Sequence, residues 1–151
     1  MNKLKIIFDT DIGDDIDDAF ALYMLLNTPQ IEIIGITTVY KNTLMRGKIA
    51  KYIVNLFNKK IPVHVGENLP FVDKINYFDF EAFMEDGTPI IAHYLAEMKD
   101  SYVEDENASD FILKQIENDP DEITILALGP LTNLAKAYLK NPETFKKVKE
   151  I

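Results

Sequence analysis

Four aliphatic, largely β-branched runs, separated by segments of helical periodicity, leave this 151-residue chain few architectures to adopt. Lys5 to Phe8 is a short apolar run ending in Asp9, and Ile31 to Val39 is β-branched almost throughout. Pro62 to Val65 is brief, and Ile123 to Leu128 closes on the turn residues Gly129-Pro130. A run that is continuous, with no apolar–polar alternation, suits a strand covered on both faces. The first intervening helix should open at Asp17 or Asp18, where acidic side chains meet the positive end of the helix dipole, and carry Ala19, Phe20, Leu22, Leu25 and Leu26. Leu44 to Phe57 places Ile49, Ala50, Ile53, Val54 and Phe57 at helical spacing, and Ala108 to Glu117 sets Phe111, Ile112 and Ile116 on one side. Leu131, Leu134, Ala135 and Tyr138 fall at i, i+3, i+4, i+7, and Pro142 starts a last short helix. Between about Glu67 and Asp105 the pattern weakens, with Ala92 to Met98 as its best helical piece. Strands alternating with helices predict one α/β domain over residues 1–151, a Rossmann-like, mainly parallel sheet flanked by helices. Ligands of such sheets bind at the carboxyl ends of the strands. Three ends should therefore share one rim: Asp9 to Asp18, Thr37 to Asn42, and Leu128 to Asn133.

Composition narrows the function. The formal net charge of -9 disfavours binding to nucleic acid or to an anionic membrane surface. There is no cysteine, so disulfides, thiolate nucleophiles and zinc–thiolate sites are excluded. The start, Met1 to Asp9, turns acidic too early for a signal peptide, and no apolar run approaches the roughly 20 residues that span a bilayer. These features predict a cytoplasmic protein.

The segment Asp9-Thr10-Asp11-Ile12-Gly13-Asp14-Asp15-Ile16-Asp17-Asp18 packs six carboxylates into ten residues, and no Lys or Arg occurs from Ile6 through Tyr40. Like charges this close raise one another's pKa and destabilise the fold unless something positive sits among them. A divalent cation is the simplest compensation, and an all-oxygen set suits Ca²⁺, with Mg²⁺ as the second candidate. Gly13 lets the backbone bend so that carboxylates from strand end and helix start face one point. An EF-hand does not fit, because Gly13 misses the sixth loop position counted from Asp9 or Asp11 and no glutamate closes the loop. The bland alternative is a helix start decorated by Asp17 and Asp18, with Asp14 and Asp15 in solvent.

The stretch Asp9-Thr10-Asp11-Ile12-Gly13 followed by Asp17-Asp18-Ala19-Phe20-Ala21-Leu22 resembles the N-terminal signature of the inosine–uridine-preferring nucleoside hydrolase family, Asp-x-Asp-Pro-Gly-x-Asp-Asp-Ala-x-Ala-Leu. Ile36-Thr37-Thr38-Val39-Tyr40-Lys41-Asn42 is similar to the family's second strand and loop, and Ile123 to Ala135 to the stretch that ends its first half. The resemblance implies the first half of the nucleoside hydrolase fold and hydrolysis of a ribonucleoside to base and ribose. It implies that Asp11 ligates calcium and serves as general base on a calcium-activated water, with Asp18 and the Leu128 backbone carbonyl as further ligands. Asp17 would bind ribose hydroxyls, Asn42 would sit near the base, and Asp9 would support the cluster. Three residues separate Gly13 from Asp17-Asp18-Ala19 where the family pattern has one. Counting from Gly13 makes Asp14 or Asp15 the partners; counting from the helix makes them Asp17 and Asp18, the anchor preferred here. Family enzymes are about twice as long, and their second half adds an aspartate ligand and ribose contacts. A truncated domain, short of catalytic groups as an isolated chain, is the resulting expectation.

Two other classes compete. Phe8-Asp9-Thr10-Asp11 also resembles the opening of haloacid-dehalogenase-like phosphatases, with Asp9 as nucleophile and Asp11 as acid/base, although Gly13 and the extra aspartates depart from that pattern. A non-enzymatic module is the other: its open edge after Ile123 to Leu128 would make a homo-oligomer or pair with a missing C-terminal half. His64, in an expected strand, and His93, in an expected helix, are read as structural. Thr132 and Asn133 are read first as helix-start residues. Tyr77, Phe78, Phe80 and Phe83 are read as core or partner surface ahead of a flap over the base, and Lys146, Lys147 and Lys149 as a solvated face.

Overall fold

The computed structural model describes residues 3–71 and 91–151. Strand β1 (Leu4–Thr10) leads through helix α1 (Asp17–Leu26) to β2 (Ile31–Thr38), α2 (Thr43–Leu56) and β3 (Val63–Val65). A single 3₁₀ turn (Ala96–Met98) precedes α3 (Ala108–Asn118), β4 (Ile123–Ala127), α4 (Thr132–Lys140) and α5 (Pro142–Phe145). All pairings are parallel, in the order β3-β2-β1-β4, so the α/β sheet expected from the alternation is the one observed. The aromatic residues 77, 78, 80 and 83 lie outside the described residues.

The chain winds outward from β1 to β3 and then returns to place β4 on β1's other side. That reversal opens a crevice between the carboxyl ends of β1 and β4. Side chains alternate across β1 and sort two cores. Ile6 and Phe8 join Leu22, Leu25, Leu26, Ile36, Ile49, Ala50 and Val54 beneath α1 and α2. Ile7 joins Phe111, Ile112, Ile116, Ile123, Ile125 and Leu134 beneath α3 and α4. Each of these Ile, Leu, Val and Phe side chains contributes roughly 1.5–3 kcal/mol on leaving water. Gly35 makes room for one of them: a Cβ there would stand 2.3 Å from Cζ of Phe111.

Beyond β4 the edge is already engaged. The Lys149 N–H donates to the Ile123 carbonyl (2.9 Å), the Ile125 N–H donates to Glu150 (2.9 Å), and Thr124 and Glu150 form a parallel bridge. No helix among the described residues is long and apolar enough to cross a membrane. His93 is not helical as expected. Its segment forms only a turn before the 3₁₀ element, and its N–H is used by the Gly13 carbonyl at 2.9 Å.

Candidate active site

The last residues of β1 are polar but sealed. Asp9 and Thr10 are both fully buried. One Asp9 oxygen, Oδ1, accepts from Thr37 Oγ1 at 2.5 Å and from Asn133 Nδ2 at 2.7 Å; Oδ2 is buried with no partner. Burial pushes the Asp9 carboxyl up to about 6, against the pull of those two bonds and with help from the charges of Asp11 and Asp18. Thr10 Oγ1 donates to Asp18 Oδ1 at 2.5 Å and accepts from the Ile12 N–H at 3.1 Å, which ties the strand end to the first turn of α1. No side chain caps that turn at Ile16, and Asp17 instead accepts from the Asp18 N–H at 3.1 Å.

Asp11, Asp14, Asp15, Asp17, Asp18, Tyr40 and Leu128 line one cavity of about 290 Å³ at the crevice between β1 and β4. Burial first, and the Asp18 charge next, raise the Asp11 carboxyl above its ordinary value; burial first, with the charges of Asp17 and Asp15 adding to it, does the same to Asp18. Leu128 is fixed at this rim by its N–H, which donates to the Asp9 carbonyl at 2.9 Å. Of the residues singled out from the sequence, Asn42 and Asp9 do not line the cavity. Asn42 caps α2 by accepting from the Met45 N–H at 3.2 Å. Asp9, the nucleophile of the phosphatase alternative, is shut away from any substrate.

Arg46 was invisible to the sequence argument, which looked for the compensating charge inside the loop. It projects from α2 with 1% of its side chain exposed. Nε donates to the Tyr40 carbonyl (2.8 Å), Nη1 to the carbonyls of Asp11 and of Ile12 (3.1 Å to the latter), and Nη2 to Asp14 Oδ2 (2.7 Å). The available signal was its spacing, since position 46 shares a helical face with Ile49, Ala50 and Ile53. Asn133 was named as a helix-start residue, but the N-cap is Leu131. Asn133 instead bonds Asp9, the Thr38 carbonyl (3.1 Å) and the Glu67 N–H (2.8 Å), joining three strand ends. Tyr40 and Lys41 take consecutive left-handed conformations, φ 74 and 52 degrees, an uncommon strain for residues with side chains.

The cavity offers oxygen donors alone, as a hard cation prefers. Among the described residues no three acidic or histidine side chains gather closely enough to hold a metal ion. A cation here would meet the carboxylates of the lining, of which Asp18 and Asp11 are less exposed than Asp14, Asp15 and Asp17, and would complete its shell from elsewhere. The unpartnered Oδ2 of Asp9 just beneath fits a site whose charge balance includes a positive ion. The donor set thus fits such an ion without filling its shell.

The family model for inosine-uridine preferring nucleoside hydrolases matches residues 6–151. A probable uridine nucleosidase 2 of Arabidopsis thaliana is 36% identical over 99% of this chain and 46% of its own length. The inosine-uridine preferring nucleoside hydrolase of Crithidia fasciculata is 32% identical, over 97% of this chain and 46% of its own. Among solved structures, a plant nucleoside hydrolase superposes with a TM-score of 0.71 at 33% identity, covering 96% of this chain and 45% of that one. The chain therefore spans about half the length of the relatives it matches.

Proposed function

The chain belongs to the inosine-uridine preferring nucleoside hydrolase family, and from that premise we propose that its acidic cavity is part of a site that hydrolyses the N-glycosidic bond of a ribonucleoside. The observation that carries this reading is the convergence of Asp11, Asp17, Asp18 and Leu128 on one cavity at the β1/β4 crevice. Asp11, Asp18 and the Leu128 carbonyl would hold a calcium ion. Bound there, a divalent cation acidifies water and offsets the crowded carboxylates. Asp11 then takes the proton from water as its oxygen adds to the anomeric carbon, while the C–N bond breaks and its electron pair leaves with the base. Asp17, exposed at the mouth, accepts from the ribose hydroxyls; Asp9 stays inside as the strut that aligns β1, β2 and α4. Asn42, held as the cap of α2, would sit near the base or its glycosidic bond.

Thermal unfolding with and without millimolar Ca²⁺, run beside release of base from inosine and uridine, tests the assignment. Binding to the native state alone raises the melting temperature. Asp11→Ala should abolish that rise; an unchanged rise in this variant removes Asp11 from the site.

A further inference from the structure

The acidic loop is held from behind. Three successive carbonyls, those of Asp11, Ile12 and Gly13, are each taken, the first two by Arg46 and the third by the His93 N–H at 2.9 Å. Gly13 is required by this arrangement twice over. Its φ is +132 degrees, and a Cβ would stand 2.6 Å from Cγ2 of Ile91 and 2.9 Å from Cδ1 of Ile49. A buried guanidinium is costly unless its donors are satisfied. Here four of its five N–H groups find acceptors on the Tyr40 turn, on the loop's main chain and on Asp14.

We propose that Arg46 is the positioning residue of the acidic loop: it fixes the main chain that carries Asp11 and claims the Asp14 carboxylate, leaving Asp11 and Asp18 as the side-chain ligands of the cation. The inference rests on reading the cavity as a cation site. It also bears on Asp14, which lines the cavity but has one oxygen, Oδ2, held at 2.7 Å by a buried Arg whose positive charge competes with a cation for it. Asp18, by contrast, accepts from Thr10, a neutral donor that leaves its charge available. Lysine cannot substitute, since one ammonium cannot serve acceptors spread over the Tyr40 turn, two loop carbonyls and a carboxylate.

Calcium titration calorimetry on the full chain, with circular dichroism to monitor folding, tests this in three proteins. Wild type should bind Ca²⁺. Arg46→Lys should bind about 10- to 100-fold more weakly, the usual loss when a residue that orients metal ligands is removed. Asp14→Asn should stay within about threefold of wild type, as for the loss of a half-exposed charge outside the shell. A purely structural Arg46 would lower the melting temperature of Arg46→Lys and leave the affinity of its folded fraction unchanged, which overturns the proposal. Tenfold or greater loss in Asp14→Asn also overturns it, by making Asp14 a ligand; that variant, on a side chain 53% exposed, decides the matter should Arg46→Lys not fold. Absence of binding by wild type refutes the cation reading itself, an outcome separate from either variant's result.

Discussion

At the scale of single residues, Asp9, His64 and Thr124 each carry a buried side-chain atom without a hydrogen-bond partner among the described residues, and the first two have distinct consequences. Asp9 has one oxygen bonded twice and the other not at all. Its ionised form is therefore costly, and a positive ion nearby would lower that cost. His64, in register with Asp9 through Thr37, sits on the same face of the sheet, stacked on Phe111 with ring centroids 3.9 Å apart. Its Nδ1 is 2.9 Å from the Glu106 carbonyl; a carbonyl can only accept, so Nδ1 carries the proton and Nε2 is bare and buried without a partner. Burial lowers the His64 pKa below 6.5, outweighing the Glu106 carbonyl and the charges of Glu106 and Glu104, while Lys114 reinforces the fall. The unfolded chain therefore takes up this proton first as pH drops. Stability from His64 is complete above about pH 6.5 and declines as pH falls through the folded value. His64→Phe, which keeps the stack, should remove this decline. Urea unfolding of both proteins between neutral and mildly acidic pH checks it: parallel stability curves would contradict the assignment.

At the scale of elements, the site depends on strand ends that no single helix or strand could align. Asn133 is the tie: its amide donates to Asp9 and to the Thr38 carbonyl, while its oxygen accepts from the Glu67 N–H. Asn133→Ala leaves those groups without partners inside the fold and should cost about 1–3 kcal/mol, read from the urea midpoint at unchanged m-value. A loss under about 0.5 kcal/mol would mean the neighbours repack around the gap. The elements themselves were legible because their signal is local. β-branched runs such as Ile31 to Thr38, and helical spacing such as Ile49, Ala50 and Ile53, state their own secondary structure. The convergence of the acidic loop with Leu128 was legible too, since parallel strands put their carboxyl ends on one rim. Arg46's hold on the acidic loop and the Asn133 tie were not, because those partners lie tens of residues away and no periodicity encodes them. The segment of His93 misled for a related reason: its residues have helical preference, but one 3₁₀ turn and a main-chain bond to Gly13 occupy them instead.

At the scale of the whole molecule, the net charge of -9 acts on every ion measurement. Self-repulsion of like charge weakens the compact state, and salt relieves it. Raising NaCl from about 10 to about 150 mM shortens the screening length from about 30 to about 8 Å, so the melting temperature should rise even without a specific site. Calorimetric scans at matched ionic strength separate the two effects: a calcium response no larger than that of NaCl would mean charge screening alone. Topology adds another consequence. Lys5 of the central strand β1 pairs with Ile123 of β4, roughly 120 residues further along, whereas its partner in β2 is nearby. A ribosome adding about 5–20 residues per second delivers β4 on the order of ten seconds after β1. Through that interval the nascent chain holds the aspartates of the loop without Leu128 beside them, so the cavity wall that Leu128 contributes is added only after β4 has emerged.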